Sequence, residues 1–202
     1  MRLAKPVLAG MTAAVVTAFA AGSADATVII DVTEVGGDVV FSAAGSLDLT
    51  GASPAGSYFA YTPGFIPGGS NWYVAPGPGG PTTAYAFTSF DGPFGTSLAF
   101  FSPPSSVSGD NFFIWGESGA TEQVGLPVGY ISGSAIASGM VFSGATIAGF
   151  TMIPGTYTYT LPNDTIVLNV GAPVPEPATL SLLGFGLAGL GFSRRRKGQT
   201  TA

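Results

Sequence analysis

Between residues 27 and 170, apolar and polar positions alternate with the period of two expected of half-buried strands. In 27–35, Ile30 and Val32 alternate with Asp31 and Thr33. Gly36-Gly37-Asp38 marks a turn, and Val39-Val40-Phe41 begins the returning strand of a hairpin. Residues 46–50 alternate as well, with Leu47 and Leu49 expected inward and Asp48 outward. Short strand-like runs follow at 57–61, 83–90, 97–101, 112–115, 128–131, 140–142 and 146–152. The last hairpin is the clearest. Thr156, Thr158 and Thr160 alternate with Tyr157, Tyr159 and Leu161, Pro162-Asn163-Asp164 turns the chain, and Ile166, Leu168 and Val170 share one face. From 63 to 81, glycines and prolines such as Gly64, Pro67, Gly68, Gly69, Pro76 and Gly77 predict a long loop anchored by Trp72 and Tyr73. Nothing before Pro177 keeps helical periodicity beyond two turns. The pattern predicts an all-β ectodomain over 27–173, an antiparallel sandwich resembling a jelly roll.

The two ends of the chain read differently. Arg2 and Lys5 precede an apolar run over 7–21, and Ala24-Asp25-Ala26 fits a small-x-small cleavage site. Residues 1–26 are therefore expected to be a signal peptide cut after Ala26. Near the other end, residues 178–192 are apolar and uncharged. At ~1.5 Å per residue they span about 22 Å, short against roughly 30 Å of bilayer hydrocarbon. A short transmembrane helix is expected over 178–193. Pro175-Glu176-Pro177 stands before it and Arg194-Arg195-Arg196-Lys197 after it, with a tail at 198–202. The basic cluster holds that end in the cytoplasm and leaves everything before the helix outside. Gly184-Phe185-Gly186-Leu187-Ala188-Gly189 matches a dinucleotide-binding pattern literally. It lies inside the apolar run, without a βαβ unit or a following acid, and carries no such chemistry.

A Pro-Glu-Pro entry, an apolar segment and a terminal basic cluster, in that order over 174–197, resemble the PEP-CTERM sorting signal of exopolysaccharide-forming Gram-negative bacteria. The resemblance implies that Pro175, Glu176 and Pro177 form the recognition motif, 178–192 the membrane segment and Arg194 to Lys197 the stop. It implies a membrane enzyme, exosortase, that removes the signal, alongside signal peptidase as the other processing partner. Residues 113–116, 126–133 and 154–157 resemble an ectodomain that recurs with this tail, from which no residue role carries over.

Charge then changes the picture. All six basic residues (Arg2, Lys5, Arg194, Arg195, Arg196, Lys197) lie in the two terminal segments. Residues 27–174 hold no Lys, Arg or His and nine acids: Asp31, Glu34, Asp38, Asp48, Asp91, Asp110, Glu117, Glu122 and Asp164. Nine acids against no base place this part near −9, although the whole chain is −5. Such a domain repels nucleic acid and anionic lipid and forms no side-chain salt bridge. With no cysteine there is no disulfide either, so apolar burial and hydrogen bonds must hold the fold.

The same composition limits the chemistry. Without His or Cys there is no nucleophilic triad, and phosphoryl transfer would lack every cationic clamp. Asp110, Glu117 and Glu122 lie near Trp115 in sequence, yet a glycosidase needs two carboxylates about 5–9 Å apart in a cleft. No catalytic residue is assigned, and the chain is expected not to be an enzyme. Asp31, Asp38, Asp110 and Asp164 fall at turns or strand ends where calcium could be held, but no dense acidic calcium loop occurs, so no metal ligand and no cofactor is assigned. Trp72, Tyr73, Trp115 and Tyr130 could offer stacking faces to carbohydrate, although core packing is the commoner use of such rings. The expectation is an exported structural protein of the cell surface or the biofilm and exopolysaccharide matrix, briefly anchored in the membrane. A carbohydrate- or calcium-binding adhesive module is the alternative, with a glycoside hydrolase behind it.

Overall fold

The computed structural model describes residues 27–58 and 61–171. They form thirteen strands. In chain order these are β1 (Thr27–Val35), β2 (Asp38–Ser46), β3 (Pro54–Tyr58), β4 (Gly64–Ile66), β5 (Asn71–Ala75), β6 (Thr82–Ala86) and β7 (Ser89–Phe90). There follow β8 (Ser106–Gly109), β9 (Phe113–Glu117), β10 (Gln123–Pro127), β11 (Ala135–Ser143), β12 (Gly155–Thr160) and β13 (Thr165–Val170). A seven-stranded sheet runs β7-β12-β13-β1-β2-β11-β8, and a six-stranded sheet runs β3-β6-β10-β9-β5-β4.

The seven-stranded sheet grows from the alternation legible in the sequence. Val28, Ile30 and Val32 of β1 are buried, as are Ile166, Leu168 and Val170 of β13. Val35 pairs with Asp38, leaving Gly36 and Gly37 as a two-residue turn with φ of 63° and 92°. Two successive positive φ angles match the strand twist and suit glycine alone without strain. The antiparallel expectation fails in the middle of this sheet. β1 and β13 pair in parallel, from Thr27 opposite Thr165 to Val32 opposite Val170. The first and last strands thus lie side by side and run the same way, so Thr27 and Gly171 sit at opposite ends of the sheet. Gly171 N–H donates to the Val32 carbonyl at 2.8 Å.

The inner faces of both sheets feed one buried cluster, as in a two-layer sandwich. Phe65 of β4 packs against Phe41 of β2 at 4.9 Å between centroids and against Phe142 of β11 at 5.3 Å. Trp72 of β5 lies 4.8 Å from Tyr159 of β12. Gly116 makes room for that indole, since a Cβ there would come within 2.3 Å of it. Thirteen strands and a parallel pair differ from the eight antiparallel strands of a jelly roll.

The predicted loop over 63–81 is corrected, since it contains β4 and β5. Its glycines and prolines flank two short strands rather than interrupt them, and Phe65, Trp72 and Val74 between them are buried. Beyond Ser46, which ends β2, residues 47–50 are not a strand, although Leu47 is buried as expected. The strand expected at 128–131 lies instead at β10, and 146–152 is turn with Ile147 and Met152 tucked inward. The expected signal peptide 1–26, transmembrane helix 178–193, sorting segment 174–197 and tail 198–202 lie outside the described residues. Among the described residues no helix is long and apolar enough to cross a membrane.

Carboxylates take over part of the work that cations would do elsewhere. Glu34 accepts from the Ile147 N–H at 2.6 Å, Asp38 from Gly144 at 3.0 Å, and Asp91 from Thr158 at 2.7 Å. Asp110 accepts from Ala137 at 2.9 Å. Asp164, itself buried, accepts from Asp48 and Thr165, each at 2.6 Å. Each carboxylate thereby joins segments far apart in the chain by an ion–dipole hydrogen bond.

Three outcomes follow for the purified protein. Phe65→Ala should cost about 3–5 kcal/mol in chemical denaturation, a core penalty that a loop residue would not show. Asp164→Ala should cost about 1–3 kcal/mol, because the Asp48 and Thr165 amides lose their acceptor. Burial, reinforced by the charges of Tyr157 and Asp91, raises the Tyr159 phenol above its ordinary value. The folded state then favours the neutral ring, so its stabilisation is intact below pH about 10 and is lost as pH climbs beyond. Tyrosinate absorbance should therefore rise together with unfolding in an alkaline titration; full ionisation of a still-folded protein near pH 10 would contradict the burial.

Candidate functional site

Strand alternation gives the six-stranded sheet an unusual outer face. Along β9, Ile114 and Gly116 face the core, which turns Phe113 and Trp115 outward. Along β5, Trp72 and Val74 face inward, which turns Asn71, Tyr73 and Ala75 outward. Register lines these up across the sheet: Tyr73 opposes Trp115, and Trp115 opposes Gln123 of β10. The neighbouring rung carries Phe113 opposite Gly125, and Gly125 opposite Ala84. A Cβ on Gly125 would meet the Phe113 ring at 2.0 Å, so only glycine lets that ring lie across the adjacent strand. Phe113, 3% exposed, forms a second small cluster with Ala75 and Ala84, against which Tyr61, Tyr73 and Trp115 pack.

Small residues make a floor and rings make walls. The result is a cleft of about 340 Å³ bordered by Tyr58, Tyr61, Tyr73, Phe100, Phe113 and Trp115. Tyr58 stands at 87° to Phe113 with centroids 5.5 Å apart, and Tyr61 at 63° and 5.4 Å. Tyr73 is inclined at 39° and 6.1 Å. The polar atoms of the rings are tied down. Gln123 Nε2 donates to the Tyr58 hydroxyl at 2.6 Å, and the Phe112 N–H donates to the Tyr61 hydroxyl at 2.7 Å. The Tyr73 hydroxyl donates to the Thr62 carbonyl at 2.9 Å, and Trp115 Nε1 donates to Asn71 Oδ1 at 3.1 Å. Burial, the dominant cause, pushes the Tyr61 phenol up to about 12, and burial raises Tyr73 further. No charged side chain borders the cleft. Among the described residues, the buried side-chain polar atoms without a partner are Thr82 Oγ1 and Gln123 Oε1. Thr82 opposes Tyr58 on the same face, so both orphans sit beside that ring.

The four rings singled out in the sequence part company here. Tyr73 and Trp115 enter the cleft. Trp72 turns inward to the core, and Tyr130 is occupied elsewhere, accepting from the Leu47 N–H at 2.8 Å and donating to the Ser134 carbonyl at 2.6 Å. Sequence reading did not single out Tyr58, Tyr61, Phe113 or Gln123. The alternation of 71–75 against 113–117 was the available signal, hidden by the assignment of 63–81 to a loop. Of the three acids near Trp115, two are brought together and the third is kept apart. Glu117 and Glu122 border a separate cleft of about 300 Å³ beside Trp72, while Asp110 is held by Ala137. Asp31 accepts from Asn169 Nδ2 at 2.9 Å, and Asp31, Asp38, Asp110 and Asp164 each serve a different partner. Among the described residues, no group of three or more acids is placed to hold a metal ion.

The sorting residues Pro175, Glu176, Pro177, Arg194, Arg195, Arg196 and Lys197, and the cleavage-site residues Ala24 and Ala26, lie outside the described residues. β13 ends at Val170. No curated protein and no solved structure matches the chain. A family model described as the PEP-CTERM protein-sorting motif matches residues 173–197, which begin just beyond that last strand. By that match the chain carries the PEP-CTERM protein-sorting motif, consistent with an exported, exosortase-processed PEP-CTERM sorting-domain protein.

Proposed function

We propose that this is a structural protein of the cell surface or the extracellular, exopolysaccharide-rich matrix. In this reading it is exported, cut by signal peptidase after Ala26, folded outside and arrested by the 178–193 helix with its C-terminus in the cytoplasm. Exosortase then acts at the Pro175-Glu176-Pro177 entry. Proline at 175 and 177 removes two backbone donors and disfavours helix, which keeps the entry extended and accessible. The observation that carries the reading is the motif match at 173–197, directly after the end of the folded domain. One feature supports it. The acidic domain, without a base between 27 and 174, has no electrostatic affinity for anionic membrane or nucleic acid and would leave the bilayer once untethered.

Intact mass of the protein from its own cells, in membrane and external fractions, tests the reading. A released species beginning at Thr27 and ending near 175–178 is expected. A species found only in membranes and still carrying Arg194 to Lys197 would instead make the segment a permanent anchor. Replacing Arg194, Arg195, Arg196 and Lys197 by Gln should weaken arrest and send uncut protein into the medium. Unchanged retention would remove the basic cluster from the mechanism.

A further inference from the structure

We propose that the aromatic cleft on the outer face of the six-stranded sheet binds an organic cation, an ammonium group carrying apolar substituents. The arrangement of the rings is the first reason. Tyr58 and Tyr61 stand at 87° and 63° to Phe113, which makes a box rather than the flat platform on which a sugar ring would stack. Ring faces carry the negative part of the aromatic quadrupole and attract a cation within about 6 Å of the centroid.

Preorganisation is the second reason. Tyr58, Tyr61, Tyr73 and Trp115 are each anchored through a polar atom to a residue outside the ring cluster, so a ligand meets walls already in place. Little side-chain freedom remains to be lost on binding.

Charge is the third. No charged side chain borders the cleft, and nine acids with no base between 27 and 174 set up a field that draws cations and repels anions. A volume of about 340 Å³ lies at the small end of ligand sites and suits a methylated ammonium rather than a large cofactor. The proposal does not depend on whether the sorting segment is removed.

The test uses the full chain in nanodiscs of phosphatidylglycerol, a lipid without an ammonium headgroup, titrated with choline and followed by tryptophan fluorescence. Trp115 borders the cleft and Trp72 lies in the core, so a saturable change reports chiefly on Trp115. Choline should bind at least about fivefold more tightly than its uncharged carbon isostere, in which tert-butyl replaces trimethylammonium. Tyr58→Leu, on an exposed edge strand, should weaken choline by at least about fivefold in a protein that still unfolds cooperatively. Tyr73→Leu should weaken it likewise. Added phosphatidylcholine vesicles separate the sources: competition with free choline assigns a lipid headgroup, and its absence assigns a soluble ammonium. Equal affinity for the isostere, saturable binding of cellohexaose in place of choline, or no saturable response would each overturn the proposal.

Discussion

Two sheets with no ion pair between them are held face to face by rings that cross the gap. Phe65 is the centre of this contact, stacked on Phe101 at 5.0 Å and edge-on to Phe142 and Phe150 at 5.3 Å and 4.9 Å. Trp72 makes the equivalent contact with Tyr159. Both rings come from the glycine- and proline-rich stretch. Its short strands are stable only because their inward residues fill the space between the sheets, and the sheets close only because that space is filled. Apolar burial here replaces both disulfides and salt bridges.

The missing bases shape the rest of the domain. A carboxylate without a cation can still be satisfied by backbone N–H groups, which carry a partial positive charge and cost no side-chain entropy to position. Glu34, Asp38, Asp91, Asp110 and Asp164 use this route, joining residues far apart in the chain. The acids therefore close loops, while the net charge they leave keeps the domain away from anionic surfaces. One set of residues serves cohesion and solubility together.

β1 and β13 are neighbours at the middle of one sheet. Their parallel course puts Thr27 and Val170 at opposite ends of the pair. The outer face of the other sheet carries the aromatic cleft. The same alternation that sends Ile114 inward raises Trp115 and Phe113 outward, so core and cleft are two faces of the same strands.

Residues 27–35 and 155–170 were legible because each hairpin carries its own turn chemistry and a strict period of two, both local properties. The sorting motif is legible for a similar reason: charge, hydrophobicity and proline stand there in linear order, and residues 173–197 match the motif as a string. What the chain alone determined is thus the β class, the sorting motif and the one-signed charge of the domain. Tertiary structure alone decided the strands within 63–81, the parallel pairing of β1 with β13, and which rings face out. Those outcomes depend on partners distant in sequence. Trp72 and Trp115 are equally apolar, and what separates them is Gly116, which clears a space for one indole on the inner face, while Tyr73 and Gln123 flank the other outside.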